Sequence, residues 1–235
     1  MPAVDNFRAV LQEARAPYFM WLAADDVALP RLLEREVAVL DARPEVVCCA
    51  PRVEFVAADG ARQPAPGTFP LLGSFGDNLR RFLHDPMDNS RFYGLFRRAA
   101  LRDALPRVGY HAADWAACVA TLRAGLHWEL DEVLLLRAAN DPDKYTRMIE
   151  HAFPGRLARL LPLAPFTRAL LLDLRVPPTP ATLYALARLN VVYHVMYARH
   201  RYPRYGRLVH RVSAALERAL LAAARAGRGG RRHAT

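Results

Sequence analysis

The hydrophobic pattern changes period several times along the chain, and each change predicts an element. Phe7, Val10, Leu11 and Ala14 recur at helical spacing, so Asn6 to Ala16 reads as a helix that Ala16-Pro17 ends. Tyr18-Phe19-Met20-Trp21-Leu22 then reads as a buried strand that stops at two adjacent acids, Asp25 and Asp26. Pro30 suits the first position of a helix whose apolar face is Leu32, Leu33, Val37 and Leu40, with Arg43-Pro44 as its stop. Val46 to Ala50 is a second apolar strand, continued by an alternating one over Arg52 to Val56 and a turn at Asp59-Gly60. Residues 61–76 hold Pro64, Pro66, Gly67 and Gly73 and read as a surface loop. A helix is predicted over Asp77–Leu83, a loop over Asp85–Ser90, a strand over Phe92–Arg97 and a helix over Arg98–Leu105. His111-Ala112-Ala113-Asp114 opens a helix that Gly125 stops, and Trp128–Arg137 is a further strand. Strands alternating with helices predict a layered α/β domain over residues 1–139.

The pattern differs over residues 140–235. Asn140-Asp141-Pro142-Asp143 reads as a loop, and beyond it the chain looks helical and basic, divided by Pro177-Pro178-Thr179-Pro180. Ala181–Tyr197 is mostly apolar, whereas Arg207–Arg225 places Leu208, Val212, Leu216, Ala219 and Leu220 opposite Arg207, Arg211, Arg218 and Arg225.

Charge sharpens this division. The formal net charge of +10 is concentrated in residues 151–235, where 15 Arg face only Asp173 and Glu217, a balance of 15 − 2 = +13. Lys144 is the only lysine, which points to coding bias and reduces the weight of any single Arg. A hydrophobic content of 53% excludes a disordered chain. Cys48, Cys49 and Cys118 lack zinc spacing and read as buried thiols of a reducing compartment. The N-terminus lacks a signal peptide's basic and apolar regions, and no apolar stretch comfortably spans a bilayer. The expected location is cytoplasmic, with peripheral attachment at the inner face of a membrane as an extension through the basic tail.

Two acids at the end of a buried strand have two readings. Oxygen-rich clusters suit Mg²⁺ or Mn²⁺, whereas either acid could instead cap the next helix. Asp114 at a helix start offers the same choice between chemistry and capping. His111 lines that region or lies on the surface. Trp115 and Trp128 offer a sugar-stacking face or core packing, and Arg97, Arg98 and Arg137 are phosphate contacts or solvated charges.

The order of these features resembles the family 2 glycosyltransferases of the GT-A fold: an Asn-Phe helix, a Tyr-Phe strand, an Asp pair, a Pro-started helix, Gly94-Leu95-Phe96-Arg97-Arg98, Ala112-Ala113-Asp114-Trp115 and Leu134-Leu135-Leu136-Arg137. The resemblance runs from about Asn6 to Arg137. It implies a GT-A-like, Rossmann-type mixed sheet, N-terminally truncated, with a helical basic C-terminal extension. The family's Asp-X-Asp motif falls on Ala23-Ala24-Asp25, followed by Asp26. The resemblance thus implies Asp25 as the ligand of Mg²⁺ or Mn²⁺, Asp114 as the base, and Asp26, His111, Trp115 and Arg97 as substrate contacts. The implied activity is inverting transfer of a sugar from a nucleotide-sugar donor to a hydroxyl acceptor, glycan or lipid-linked, in cell-envelope or polysaccharide synthesis. Two departures stand out. Ala23 replaces the first acid, and the roughly 80–100 residues that carry the family's nucleotide-reading strands would precede Met1. They favour an alternative, a catalytically inactive relative serving as a binding module. For the tail, a solvated or self-packed helix is the first reading and an anionic membrane surface met through the C-terminal helix the second, and no specific nucleic acid is expected.

Overall fold

The side chains of Val46-Val47-Cys48-Cys49-Ala50 are all buried, and this run forms the middle of the sheet. The computed structural model describes residues 3–84, 86, 88–139, 160–207, 210–212 and 214–215. In chain order its elements are α1 (Ala3–Glu13), β1 (Tyr18–Phe19), β2 (Val27–Ala28), α2 (Leu32–Ala42), β3 (Val46–Val56), β4 (Arg62–Ala65), α3 (Phe75–His84), β5 (Leu95–Arg97), α4 (Arg98–Leu101), α5 (Ala113–Thr121), β6 (Leu126–Ala138), α6 (Ala164–Arg168) and α7 (Pro180–Arg201). The chain divides into two compact units. One comprises Met1–Pro142 with Leu163–Leu189, the other Asp143–Pro162 with Asn190–Thr235.

The first unit is mixed α/β. Its sheet runs β1-β5-β3-β6-β2, with β4 also on β3. The pairing of β3 with β6 is parallel and the others are antiparallel. A parallel partner needs a long crossover, here the chain between Val56 and Leu126. The first half of β3 lies between β5 and β6, and its second half between β4 and β6. Leu32, Leu40, Val46, Cys49, Val53, Leu95, Leu130 and Leu135 form the core around it.

Several expectations need correction. The strand beginning at Tyr18 pairs over two residues only, because the chain turns to bury Trp21. The indole of Trp21 stacks on Phe92 at 4.4 Å and donates to the Phe7 carbonyl at 3.2 Å, so the aromatic run anchors α1 instead of extending the sheet. Helix α2 begins at Leu32, after Arg31 in a left-handed conformation, not at Pro30. Its buried face is Leu32, Glu36 and Leu40, and Leu33 is exposed. The loop assigned to 61–76 includes β4, which the Asp59-Gly60 turn folds back on β3 with Gly60 at φ +85°. Tyr93 belongs to a 3₁₀ turn, Ser90–Tyr93, and the strand starts at Leu95. The helix expected to reach Leu105 is α4 alone. Cys48, Cys49 and Cys118 are free and buried. The 140–143 loop and most of the 207–225 amphipathic helix lie outside the described residues.

Candidate functional site

The site starts from the anchor at Trp21. After it the chain makes a turn in which the Asp26 N–H donates to the Ala23 carbonyl at 3.1 Å. Strand β2 then pairs with β6, Val27 opposite Leu136, which brings Asp26 beside Arg137. The Arg137 Nε donates to Asp26 Oδ2 at 3.2 Å, with the two side chains only 9% and 3% exposed. Burial raises the Asp26 pKa above its ordinary value, and the Arg137 charge opposes that rise. Asp25, one residue earlier, is exposed. Neither acid caps α2, whose N-cap is Arg31.

A second arm comes from the loop before β5. The Asp88 carboxylate accepts the N–H groups of Ser90 at 2.7 Å and Gly67 at 3.3 Å. That local bonding is what short acidic side chains do in turns. It sets Asn89 in a left-handed conformation at φ 52°. Asn89 Nδ2 donates to Asp114 Oδ2 at 2.8 Å, and Ser90 Oγ accepts from Arg137 Nη1 at 3.2 Å. The Arg137 guanidinium also lies over the Tyr93 ring, 3.8 Å from its centroid. One arginine therefore joins the acid end of the first arm to the loop that holds Asp114.

Asp114 sits in the first turn of α5, whose N-cap is Ala112, so it is not the cap. Burial raises its pKa, while Asn89, the N–H groups of Asp114 and Trp115, and Arg137 pull the other way. The Tyr93 hydroxyl is also held above its ordinary value, chiefly by burial. A half-buried carboxylate with a raised pKa, oriented by an amide, is suited to accept a proton.

The other sequence candidates fall elsewhere. Arg97 does not join the cluster. It donates to the carbonyls of Val46 (2.9 Å), Leu40 (2.6 Å) and Arg43 (3.2 Å), tying the C-terminal end of α2 to the sheet. Arg98 donates to the Ala16 carbonyl at 2.8 Å. Trp115 is buried edge-on between Phe82 and Phe166, at 6.4 and 5.6 Å, and is core. Trp128 carries the Arg43 guanidinium 4.2 Å above its ring. His111 is buried, not on the surface, and burial lowers its pKa to about 4, which keeps it neutral at pH 7. Asn89, Ser90 and Tyr93 were not visible as site residues in the sequence. Their one signal was Asp88-Asn89-Ser90, a run of side chains that bond to nearby backbone.

The residues present fit a cation only in part. Among the described residues, no three His, Cys, Asp or Glu side chains gather to hold a metal. The Asp26 carboxylate is engaged by Arg137 and the Ala138 N–H. Asp25 alone fits the usual magnesium arrangement, in which one or two carboxylates share the ion with substrate phosphates.

Residues 4–105 match the sequence model described as Glycosyl transferase family 2. The matched segment holds Asp25, Asp26 and the Ser90 turn, and it ends before Asp114 and Arg137. No curated protein matches the chain in sequence. Among solved structures, the chain is similar to S. aureus TarS 1–349, at 15% identity and a TM-score of 0.41, covering 83% of this chain and 69% of that one. The same form in complex with UDP-GlcNAc gives 15%, 0.41, 83% and 70%. For S. aureus TarS the values are 16%, 0.42, 87% and 40%, so the chain spans less than half of that protein.

Proposed function

We propose that this chain is a family 2 glycosyltransferase of GT-A type that moves a sugar from a nucleotide-sugar donor to a hydroxyl acceptor with inversion. The observation that carries the proposal is the link through Arg137. The acid turn inside the matched segment and Asp114 outside it share one arginine and one loop. Asp25 would hold Mg²⁺ or Mn²⁺ together with the donor's phosphates, and the ion would offset the charge growing on the leaving diphosphate. Asp114 accepts the acceptor's hydroxyl proton as that oxygen attacks the anomeric carbon and the bond from that carbon to the phosphate oxygen breaks. Asn89 holds the Asp114 carboxylate in place, and Asp26 neutralises Arg137 beside the donor. In this reading Trp115, packed between Phe82 and Phe166, and Arg97, bonded to backbone carbonyls, take no part, and neither does the buried His111.

A second proposal, an inactive binding module, draws on Ala23 in place of the first acid and on the closure of Asp26 against Arg137. Calorimetric titration of the full chain with UDP, GDP and their sugars, with and without Mn²⁺, tests the donor site. Metal-dependent binding lost in Asp25→Asn supports the transferase. Binding that is absent, or indifferent to metal and to that substitution, contradicts it.

A further inference from the structure

We infer that the second unit carries a docking surface for an anionic lipid membrane, built from exposed apolar and tyrosine side chains set among arginines. Val191, Val192, Met196, Tyr202, Tyr205 and Val212 are each between 37% and 51% exposed. They are not the overflow of a poorly packed helix. Over the same turns Tyr193, Val195, Tyr197 and Ala198 are buried, so α7 already has an inner face and its outer face is apolar as well. Val192, Met196 and Arg199 follow at i, i+4 and i+7, which places two apolar side chains and a cation along one stripe.

The charge identifies the occupant. From Asn190 to Leu216 the sequence has five arginines, Arg199, Arg201, Arg204, Arg207 and Arg211, and no acidic residue. Arg199, Arg204, Arg207 and Arg211 are exposed. A protein partner with an acidic surface would match the arginines but would have to dehydrate them. A nucleic acid would match them through its phosphates and leave Val191, Val192, Met196 and Val212 in water. An anionic bilayer surface uses both sets: headgroup phosphates meet the guanidinium groups, and the aliphatic side chains enter the acyl boundary. Tyrosine, apolar in its ring and polar at its tip, suits that boundary as Tyr202 and Tyr205 present it. Among the described residues no helix is long and apolar enough to cross a membrane, so attachment would be along the surface. The inference is independent of sugar transfer and stands whether or not the donor site works.

The test is co-sedimentation of the full chain with vesicles of phosphatidylcholine alone and of phosphatidylcholine with phosphatidylglycerol, at low and high salt. Two pairs of substitutions separate the contributions: Val192→Asp with Met196→Asp, and Arg204→Glu with Arg207→Glu. Urea unfolding and circular dichroism check that each still folds. The expected result is binding to anionic vesicles only, weakened by salt and reduced by about tenfold or more in each folded double variant. Binding unchanged by the apolar pair would overturn the proposal, as would failure of the unaltered chain to sediment with anionic vesicles. Tighter binding to a single- or double-stranded oligonucleotide, insensitive to the apolar pair, would assign the surface to nucleic acid instead. If the apolar pair fails to fold, Val192→Ser with Met196→Ser replaces it under the same criteria.

Discussion

Replacing Arg137 with Met removes the charge beside Asp26 while keeping an unbranched apolar stem against Tyr93. The magnitude follows from the pair's geometry. At the observed 3.2 Å, the Coulomb term is about 5 kcal/mol for an effective dielectric near 20. Asp26 has an escape, because it can take up a proton. Neutralising a carboxyl of ordinary acidity, 3.8, at pH 7 costs about 4 kcal/mol, which caps the loss. Removing one partner of a buried pair typically costs about 3–5 kcal/mol, so the expected destabilisation at pH 7 is about 3–4 kcal/mol. The sign with pH is equally specific. Without Arg137 the folded pKa of Asp26 rises further above its unfolded value. The added penalty is therefore greatest at neutral pH and fades as pH falls toward 4. Urea denaturation followed by tryptophan fluorescence is a suitable assay, since Trp21, Trp115 and Trp128 all lie in the first unit. Adding Asp26→Asn to Arg137→Met should recover most of the loss. A single variant that loses less than about 1 kcal/mol at pH 7, or a double variant no better than the single one, would refute a buried, mutually dependent pair.

Glu36 supplies a pH test of the core. It is fully buried, neither carboxylate oxygen holds a hydrogen bond of good geometry, and burial pushes its pKa up from 4.5 to about 8. The folded state therefore keeps a proton that the unfolded chain releases. Stability should fall by about 1.4 kcal/mol per pH unit between 4.5 and 8 and level off above. Glu36→Gln should remove that slope from unfolding curves measured at pH 5 and pH 8, and a slope that persists would acquit Glu36. Gly94→Ala would set a methyl group 2.5 Å from the Cys49 carbonyl oxygen and 2.9 Å from the Ala50 side chain. The expected cost is about 1–3 kcal/mol in the urea midpoint, and a neutral result would mean that the turn before β5 shifts freely.

The sheet was legible where side-chain period and burial agree, and obscure where a side chain acts against its neighbours' pattern. Val46–Ala50 and Trp128–Arg137 read as strands because both are dense in apolar residues, while their parallel pairing at the centre of the sheet shows only in the structure. Tyr18–Leu22 looks the same, but an indole that needs a carbonyl partner and an aromatic stack draws Trp21 off the strand. Val27-Ala28 is too short to show a period and is a strand only because β6 extends beside it. Glu36 shares the face of Leu32 and Leu40 by helical spacing, and only its charge hid it as a core residue. In the site, Asp25, Asp26 and Asp114 could be singled out one by one. Their connection could not, because it depends on Asn89 and Ser90 in a loop whose conformation is set by Asp88. Arg137 was one arginine among many until its pairing distinguished it from Arg97, whose donors go to backbone carbonyls.

The central claim is sugar transfer with Asp114 as base, and release of nucleoside diphosphate tests it most directly. The full chain would be incubated with a panel of UDP- and GDP-sugars, Mn²⁺ and hydroxyl acceptors, beside Asp114→Asn, with donor affinity measured in parallel. The expected result is acceptor-stimulated release from at least one donor. Asp114→Asn should lower kcat by about 10²–10⁴-fold while leaving donor affinity unchanged. In the unaltered chain, the acid limb of the rate profile should lie above the ordinary aspartate range, because the base must be ionised to act and burial raises its pKa. No release from any donor, or release undiminished in Asp114→Asn, would contradict it.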